Sequence, residues 1–480
     1  MSPSAPPMTG RHAERRLLLE SIQREEPQFV AIYGRRRVGK TYLVRQTLSE
    51  AFAFEHVGMA SASLSDQLLH FRDSLLRNGL RDCPPLASWH DAFLALEHLL
   101  DQPRPGRNVV FLDELPWLDT PRSRFLPELE HFWNARASLR KNLVLVVCGS
   151  ASSWMVSNLV RNRGGLHNRL TRQILLRPFT LRECADYAAA RGLVLSPRDV
   201  CSAYMALGGV PWYWSLLEKG LSVAQNLDAL FFAEGAPLAP EHDALFASLF
   251  RHSEHHRRIV DALAAVGIGA DRATLLARTG LPDNGVLSRC LEELEQCGFV
   301  RQYTPYGKAK KGALWQLLDP LVLFHRKFLA SRPRDERFWT HSLGSGAQNA
   351  WSGLAFERVC LAHVPQIKQA LQIAGVLVHV ASWRHLPDAV HPHGAQIDLL
   401  LDRADRVVNV CEMKWSAGPY AIDKVTADHF RAKLETFRAV AAPRRTLHLT
   451  LVTPDGVLPN AHSSIVQSQV TLDDLFADIR

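Results

Sequence analysis

The segment Gly34-Arg35-Arg36-Arg37-Val38-Gly39-Lys40-Thr41 spaces two glycines, a lysine and a threonine as a loop that wraps a polyphosphate. Glycines let main-chain N–H groups close around the anion. Lys40 would reach the β- and γ-phosphates, and the Thr41 hydroxyl would take a place beside Mg2+. This chemistry needs partner carboxylates, and Asp113 and Glu114 supply them at the end of the apolar run from Asn108. The first suits the Mg2+ shell and the second an attacking water. Ser150, after the run Asn142–Cys148, stands where a γ-phosphate sensor would sit, although serine is equally an ordinary helix cap. Arg169, in the glycine-containing stretch 164–172, is placed to meet transition-state charge.

A second constellation lies near the other end. Asp398 falls in the strand-like run 396–401, and Glu412-Met413-Lys414 closes the run that starts at Val407. Residues two apart on a strand face the same way, so Glu412 and Lys414 point together. Carboxylates on neighbouring strands can hold Mg2+, with the lysine steadying charge at phosphorus; a sheet edge with a surface Glu–Lys pair would look the same. Glu357, on the helical run 349–363, adds a further acid.

The elements that must position these residues follow from periodicity. Phe29–Tyr33 reads as a strand feeding the loop, and Tyr42–Leu48 as a helix whose positive end meets the anion. Helical segments continue at 180–190 and 197–207, broken by Gly208-Gly-Val-Pro211 and the aromatic run Trp212-Tyr213-Trp214, which reads as the core of a helical lid. From His255 three short helices (255–266, 273–279, 284–296) precede two strands, 299–303 and 313–317, in the order of a winged helix-turn-helix. Its third helix would offer Arg289 to a major groove. The hairpin tip would set Lys308, Lys310 and Lys311 on phosphates. Against that, the third helix carries Glu292, Glu293 and Glu295, and winged modules also contact proteins. A last α/β unit runs through strands 376–381, 396–401, 407–413 and 446–452 with a helix at 423–439.

The hydrophobic fraction of 47% and charged fraction of 22% are those of a soluble globular protein, and 480 residues suffice for about three domains. No apolar run reaches the roughly 18 residues of a membrane span. Met1–Gly10 is Pro- and Ser-rich without a signal core, so the expected location is cytoplasmic. The eight cysteines form no C-x-x-C pair, which speaks against disulfides and against zinc; they read as small hydrophobes. His252, His255 and His256 share one charged helix and read as solvated. Of the net +8, residues 251–340 carry 15 basic against 10 acidic side chains, and 301–334 hold eight bases against Asp319 alone. Such a basic stripe suits a nucleic-acid backbone.

With these residues in hand, the chain resembles the archaeal-type AAA-like P-loop ATPases. The loop 34–41, Gly208-Gly-Val-Pro211, and Trp315-Gln-Leu-Leu-Asp-Pro320 followed by Phe324 and Phe328 carry the resemblance, which covers nearly the full length. It implies an α/β multidomain chain: a P-loop NTPase parallel sheet with helical lid, a winged helix-turn-helix, and a C-terminal restriction-endonuclease-like domain of the PD-(D/E)XK kind. The expected boundaries are a tail at 1–10, ATPase core 11–180, lid 181–250, winged helix 251–335 and nuclease-like domain 336–480. By resemblance the nuclease motif falls on Asp398, Glu412 and Lys414, with Glu357 as helical acid. The chain departs from the pattern at Gln396-Ile397, where the motif's proline is missing, and at His325, where the family has an aromatic. The implied function is Mg2+-dependent ATP hydrolysis coupled to double-stranded DNA and to metal-dependent cleavage, in mobile-element or defence biology. Self-association and a partner protein belong to the same expectation. The alternative is an ATP-driven switch that binds DNA or a partner protein without cutting.

Overall fold

Among the described residues twelve strands and the helices between them form two compact units, 1–178 and 179–480. The computed structural model describes residues 8–150, 152–161, 164–250, 253–267, 269–307, 312–331, 334–389, 394–441 and 444–479. Among them no helix is long and apolar enough to cross a membrane.

The first unit is built on β1 (Gln28–Tyr33), β2 (Phe52–Val57), β3 (Asn108–Asp113), β4 (Leu143–Gly149) and β5 (Arg172–Leu175), all parallel in the order β2-β3-β4-β1-β5. Alternation explains why the central strands are apolar throughout. Phe29, Ala31, Val110, Leu112, Leu145 and Val147 face one buried layer. Val30, Ile32, Val109, Phe111, Val144 and Val146 face the other, with Leu43 and Val44 of the helix Lys40–Leu48. A parallel sheet covered on both sides needs that run of β-branched residues. Its order brings the C-terminal ends of β1, β4 and β3 side by side, where sheets of this type bind ligands.

The second unit contains three substructures. Helices Leu181–Ala190 and Pro197–Leu207 start in capping boxes at Thr180 and Ser196. The helix Gly346–Ala362 packs against the 197–207 helix, and one hydrophobic core runs from Phe179 through Phe324 to Leu475. Tyr213 and Trp214 are fully buried in it, as expected of lid core. Phe324 sits at its centre, with ring centroids 4.8 Å from Phe231, 5.2 Å from Phe328, 5.0 Å from Trp339 and 5.3 Å from Trp351. His363 stitches the same region: its Nε2 accepts the Leu181 N–H at 3.0 Å while Nδ1 donates to the Val359 carbonyl at 2.8 Å. Burial drives that imidazole down to about 4 and keeps it neutral for this role.

Helices Ser253–Val266, Arg272–Thr279 and Gly285–Gln296 enclose a core of Ile259, Leu263, Leu275, Leu287, Leu291, Leu294 and Phe299. The antiparallel pair β6 (Val300–Tyr303) and β7 (Leu314–Leu317) follows, giving the winged-helix arrangement. The last sheet is mixed, in the order β12-β11-β10-β9-β8. β8 (Val378–His385), β9 (Ala395–Arg403) and β10 (Val407–Met413) are antiparallel, and β11 (Thr446–Val452) and β12 (Ser468–Val470) run parallel to β10. The 346–362 helix covers one face, and Phe437 of the helix Lys424–Ala441 packs on the other with Trp383, Leu400 and Val410. The hairpin also touches this sheet: Pro305 bridges Ser382, the Tyr306 N–H donates to the Ser382 carbonyl at 2.7 Å, and the Tyr306 ring lies 5.3 Å from Phe437.

A buried carboxylate closes this unit. Asp228, 5% exposed, accepts the Trp339 N–H at 2.8 Å, the Thr340 N–H at 3.2 Å and the Thr340 hydroxyl. Asp228→Ala strands these donors, so we expect a loss of about 2–3 kcal/mol in the melting of this unit. Thermal denaturation checks it; a melting point equal to wild type would contradict the assignment.

Candidate active site

Main-chain geometry sets the phosphate loop. Gly34 lies so close to the β5 exit that a Cβ there would stand 2.3 Å from the Leu176 carbonyl oxygen, and Gly39 has φ of 91°, in the left-handed region that side chains disfavour. The 40–48 helix begins immediately after, so its N-terminal end adjoins the loop. Lys40 is only 5% exposed. Its Nζ donates to the carbonyls of Gly34 (3.0 Å) and Arg35 (2.9 Å) and to Ser150 Oγ (3.0 Å).

Two further contacts join the strand ends. The Thr41 hydroxyl donates to Asp113 Oδ2 at 2.6 Å. Ser150 donates through Oγ to Glu114 Oε1 at 2.6 Å and through its N–H to Oε2 at 3.2 Å. Ser150 is therefore the link between Lys40 and Glu114. Glu114 adopts φ 47°, a left-handed turn that brings its carboxylate back toward β4. Burial holds the Asp113 carboxyl above the usual range; the Thr41 hydrogen bond works against that shift and the Glu114 charge adds to it. A divalent cation beside Thr41 and Asp113 would relieve this strain on the buried charge, so the donor set fits Mg2+. The same pocket of donors fits the phosphates of ATP. Arg35 is buried and Arg36 exposed in the loop, Val38 packs into the core, and Arg37 has φ 68°. Arg169 is exposed on a turn.

The C-terminal acids are placed differently. Asp398 accepts from Gln396 Nε2 at 2.6 Å. Glu412 pairs with Lys433 through Oε1 and stands 3.7 Å from Lys414 through Oε2. Glu412 and Asp398 lie one step beyond the cross-strand pair Cys411–Leu399. Glu357 is raised to about 7, first by burial and then by the Asp398 charge. The three carboxylates interact, yet their oxygens are not drawn into one cluster. Among the described residues, the only three His, Cys, Asp or Glu side chains with ligand atoms all within 4.8 Å are His256, Cys290 and Glu293.

Lys433 was missed in the sequence although a signal was there. It falls three residues after Phe430 and four before Phe437, on the buried stripe of its helix. His256 is a correction: it is 4% exposed rather than solvated, because its ring stacks on Phe250 and its Nε2 meets Glu293 at 2.7 Å. The basic stripe is also partly corrected. Arg301 turns inward to Gln316 (2.8 Å) and over the Tyr303 ring (4.7 Å), and Arg326 pairs with Asp261. Glu293 and Glu295 of the third helix are likewise spent internally, the latter accepting the Gln302 N–H at 3.0 Å. Arg289 is exposed. Lys308, Lys310 and Lys311 lie outside the described residues.

Residues 8–217 match the family described as an ATPase domain predominantly from Archaea. This stretch belongs to the archaeal-type P-loop ATPases. At the level of that family the activity is that of an ATPase and the ligand is ATP. An uncharacterized protein of Methanocaldococcus jannaschii is 21% identical over 421 residues, covering 84% of this chain and 87% of that protein. A Walker-type ATPase of Pyrococcus abyssi superposes with a TM-score of 0.47 at 18% identity, over 66% of this chain and 95% of its own. The ORC2 protein of Aeropyrum pernix, solved in ADPNP and ADP complexes, gives 0.41 at 15%, over 72% and 98%.

Because Glu357 is raised to about 7 in the fold, the protein binds its proton more tightly than the unfolded chain does. Stability from this group is fully present below the ordinary glutamate range and is lost as pH rises through about 7. We expect wild type to lose on the order of 2 kcal/mol relative to Glu357→Gln between about pH 5 and pH 8. Paired melting curves in metal-free buffer read this out, and parallel curves would refute it.

Proposed function

We propose that this ATPase hydrolyses ATP with Mg2+ and couples turnover to double-stranded DNA, which the winged helix engages and the terminal domain cleaves with metal. The proposed organisation is a tail at 1–10, ATPase core at 11–180, lid at 181–250, winged helix at 251–335 and restriction-endonuclease-like domain at 336–480, acting in the cytoplasm and assembling with further copies of the chain. The observation that carries the hydrolase reading is the linkage Lys40–Ser150–Glu114 beside Thr41–Asp113. Mg2+ supplies neutralisation of phosphate charge when bound. Lys40 and the loop N–H groups orient the polyphosphate, and Thr41 and Asp113 provide oxygens for the cation. Glu114 takes the proton of the attacking water. Ser150, bonded to both Lys40 and Glu114, keeps the base and the cation-binding side of the site in register. Arg169 would add charge to the transition state. Arg289 and the wing lysines Lys308, Lys310 and Lys311 are the proposed DNA contacts. Asp398, Glu412 and Glu357 are the proposed metal ligands for cleavage, with Lys414 at phosphorus.

A second reading has its own support. Two lysines occupy Glu412, and the hairpin residues Pro305 and Tyr306 pack on the last sheet of the same chain, which takes that part of the wing away from DNA. Both fit an ATP-driven switch that holds DNA or a partner protein without cutting.

ATP turnover with and without double-stranded DNA, followed by gel analysis of the DNA, tests both. We expect DNA to stimulate turnover and Glu114→Gln to lower it by about 100-fold or more with nucleotide binding retained; full activity in that variant would overturn the hydrolase assignment. Nicking in Mg2+ or Mn2+ that disappears in Asp398→Ala supports cleavage, and intact DNA throughout selects the switch.

A further inference from the structure

The sequence offers no C-x-x-C pair and no histidine cluster at metal-ligand spacing with cysteines, yet folding assembles a mixed donor set inside the winged helix. His256 comes from the 253–266 helix, and Cys290 and Glu293 come from the 285–296 helix. Cys290 and Glu293 are three apart, so both lie on one helix face, opposite His256. Hydrophobic contacts among Ile259, Leu263, Leu287, Leu291 and Leu294 fix the two helices against each other. His256 and Cys290 are 4% and 5% exposed, and the Glu293 side chain is 24% exposed. The Phe250 ring stacks on the imidazole at 3.8 Å and 8° and fixes its plane.

We propose that His256, Cys290 and Glu293 form a binding site for a Zn2+-type divalent cation that clamps the first helix of the winged helix to the third. One nitrogen, one sulfur and one carboxylate oxygen are donors for a borderline-soft cation, whereas Mg2+ and Ca2+ select oxygens alone. Three protein ligands leave a fourth, tetrahedral position for water, and the partly exposed Glu293 marks the side from which it enters. Tetrahedral Zn2+ sets its ligand atoms about 3.5 Å apart. The three ligand atoms here already lie within 4.8 Å of one another. The His256–Glu293 contact of 2.7 Å has only to open by about 1 Å to reach that spacing.

The test is Co2+ titration of the chelator-treated full chain, followed by displacement with Zn2+. We expect one equivalent of the bound Co2+ to give a near-ultraviolet sulfur-to-cobalt charge-transfer band and the intense visible bands of tetrahedral Co2+, which Co2+ held by the oxygen donors elsewhere in the chain does not give. Cys290→Ser should abolish the charge-transfer band, and Glu293→Gln should weaken affinity at least about tenfold. Cys297→Ser, on a neighbouring buried thiol, should leave both unchanged. Absence of the band in wild type, or its survival in Cys290→Ser, would overturn the site. Should Cys290→Ser fail to fold, the Glu293→Gln affinity decides, since that partly exposed substitution keeps shape; unaltered affinity there also refutes the proposal. The thermal melting of the second unit, which contains the site, serves as the check of folding.

Discussion

A lysine ammonium withdrawn from water must be surrounded by oxygen, and Lys40 imposes that demand on the whole first unit. Its charge is satisfied by two carbonyls of its own loop and by Ser150, which reside on different strand ends. The loop can close only if β1 and β4 are neighbours, and Glu114 can reach Ser150 only if β3 lies next to β4. The order of the sheet is thus a condition for burying one cation, and the apolar layers on both faces hold that order. In the proposed nucleotide complex a polyphosphate would take over from the carbonyls as partner, and the ammonium would keep its charge compensated without leaving the site.

The second unit is organised around the opposite kind of constraint. Phe324 and the rings about it belong to a core shared by helices near residue 200 and strands near residue 400. Packing at crystal-like density transmits displacement rather than absorbing it. A movement of the 197–207 helix would be felt at the 346–362 helix, which carries Glu357. His363 and Asp228 reinforce this by spending polar groups on main-chain donors across the same junction. The acids of the last sheet are therefore set in a frame that also contains the lid-like helices.

Much of this was legible in the sequence, for identifiable reasons. The strand–loop–helix at 28–48 and the strands at 407–413 and 446–452 were readable because their periodicity is strong and glycine, acid or turn residues mark their ends. Asp113, Glu114 and Ser150 were readable because strand-end positions in a parallel sheet are fixed by the strands themselves. Individual pairings were not. That Lys433 would seize Glu412, or that Arg301 would fold under its own hairpin, depends on rotamers and on burial contributed by distant residues. The burial of His256 is not legible because a charged local sequence suggests solvent, and only the stacking of Phe250 and the approach of another helix remove it. β2 was not read as a strand: Phe52–Val57 mixes apolar residues with Glu55 and His56 and has a register shift against β3.

The bridge between Pro305 and Ser382 has a consequence of a different kind. β8 is the outermost strand of its sheet, and such a margin exposes unpaired amides and carbonyls that invite pairing with other chains. The segment Pro305–Tyr306 occupies part of that margin, its proline offering no donor to a newcomer and its tyrosine covering the apolar surface at Phe437. The hairpin thereby covers part of an edge that would otherwise stand open to pairing, and removing the winged helix while keeping the last sheet would bare it.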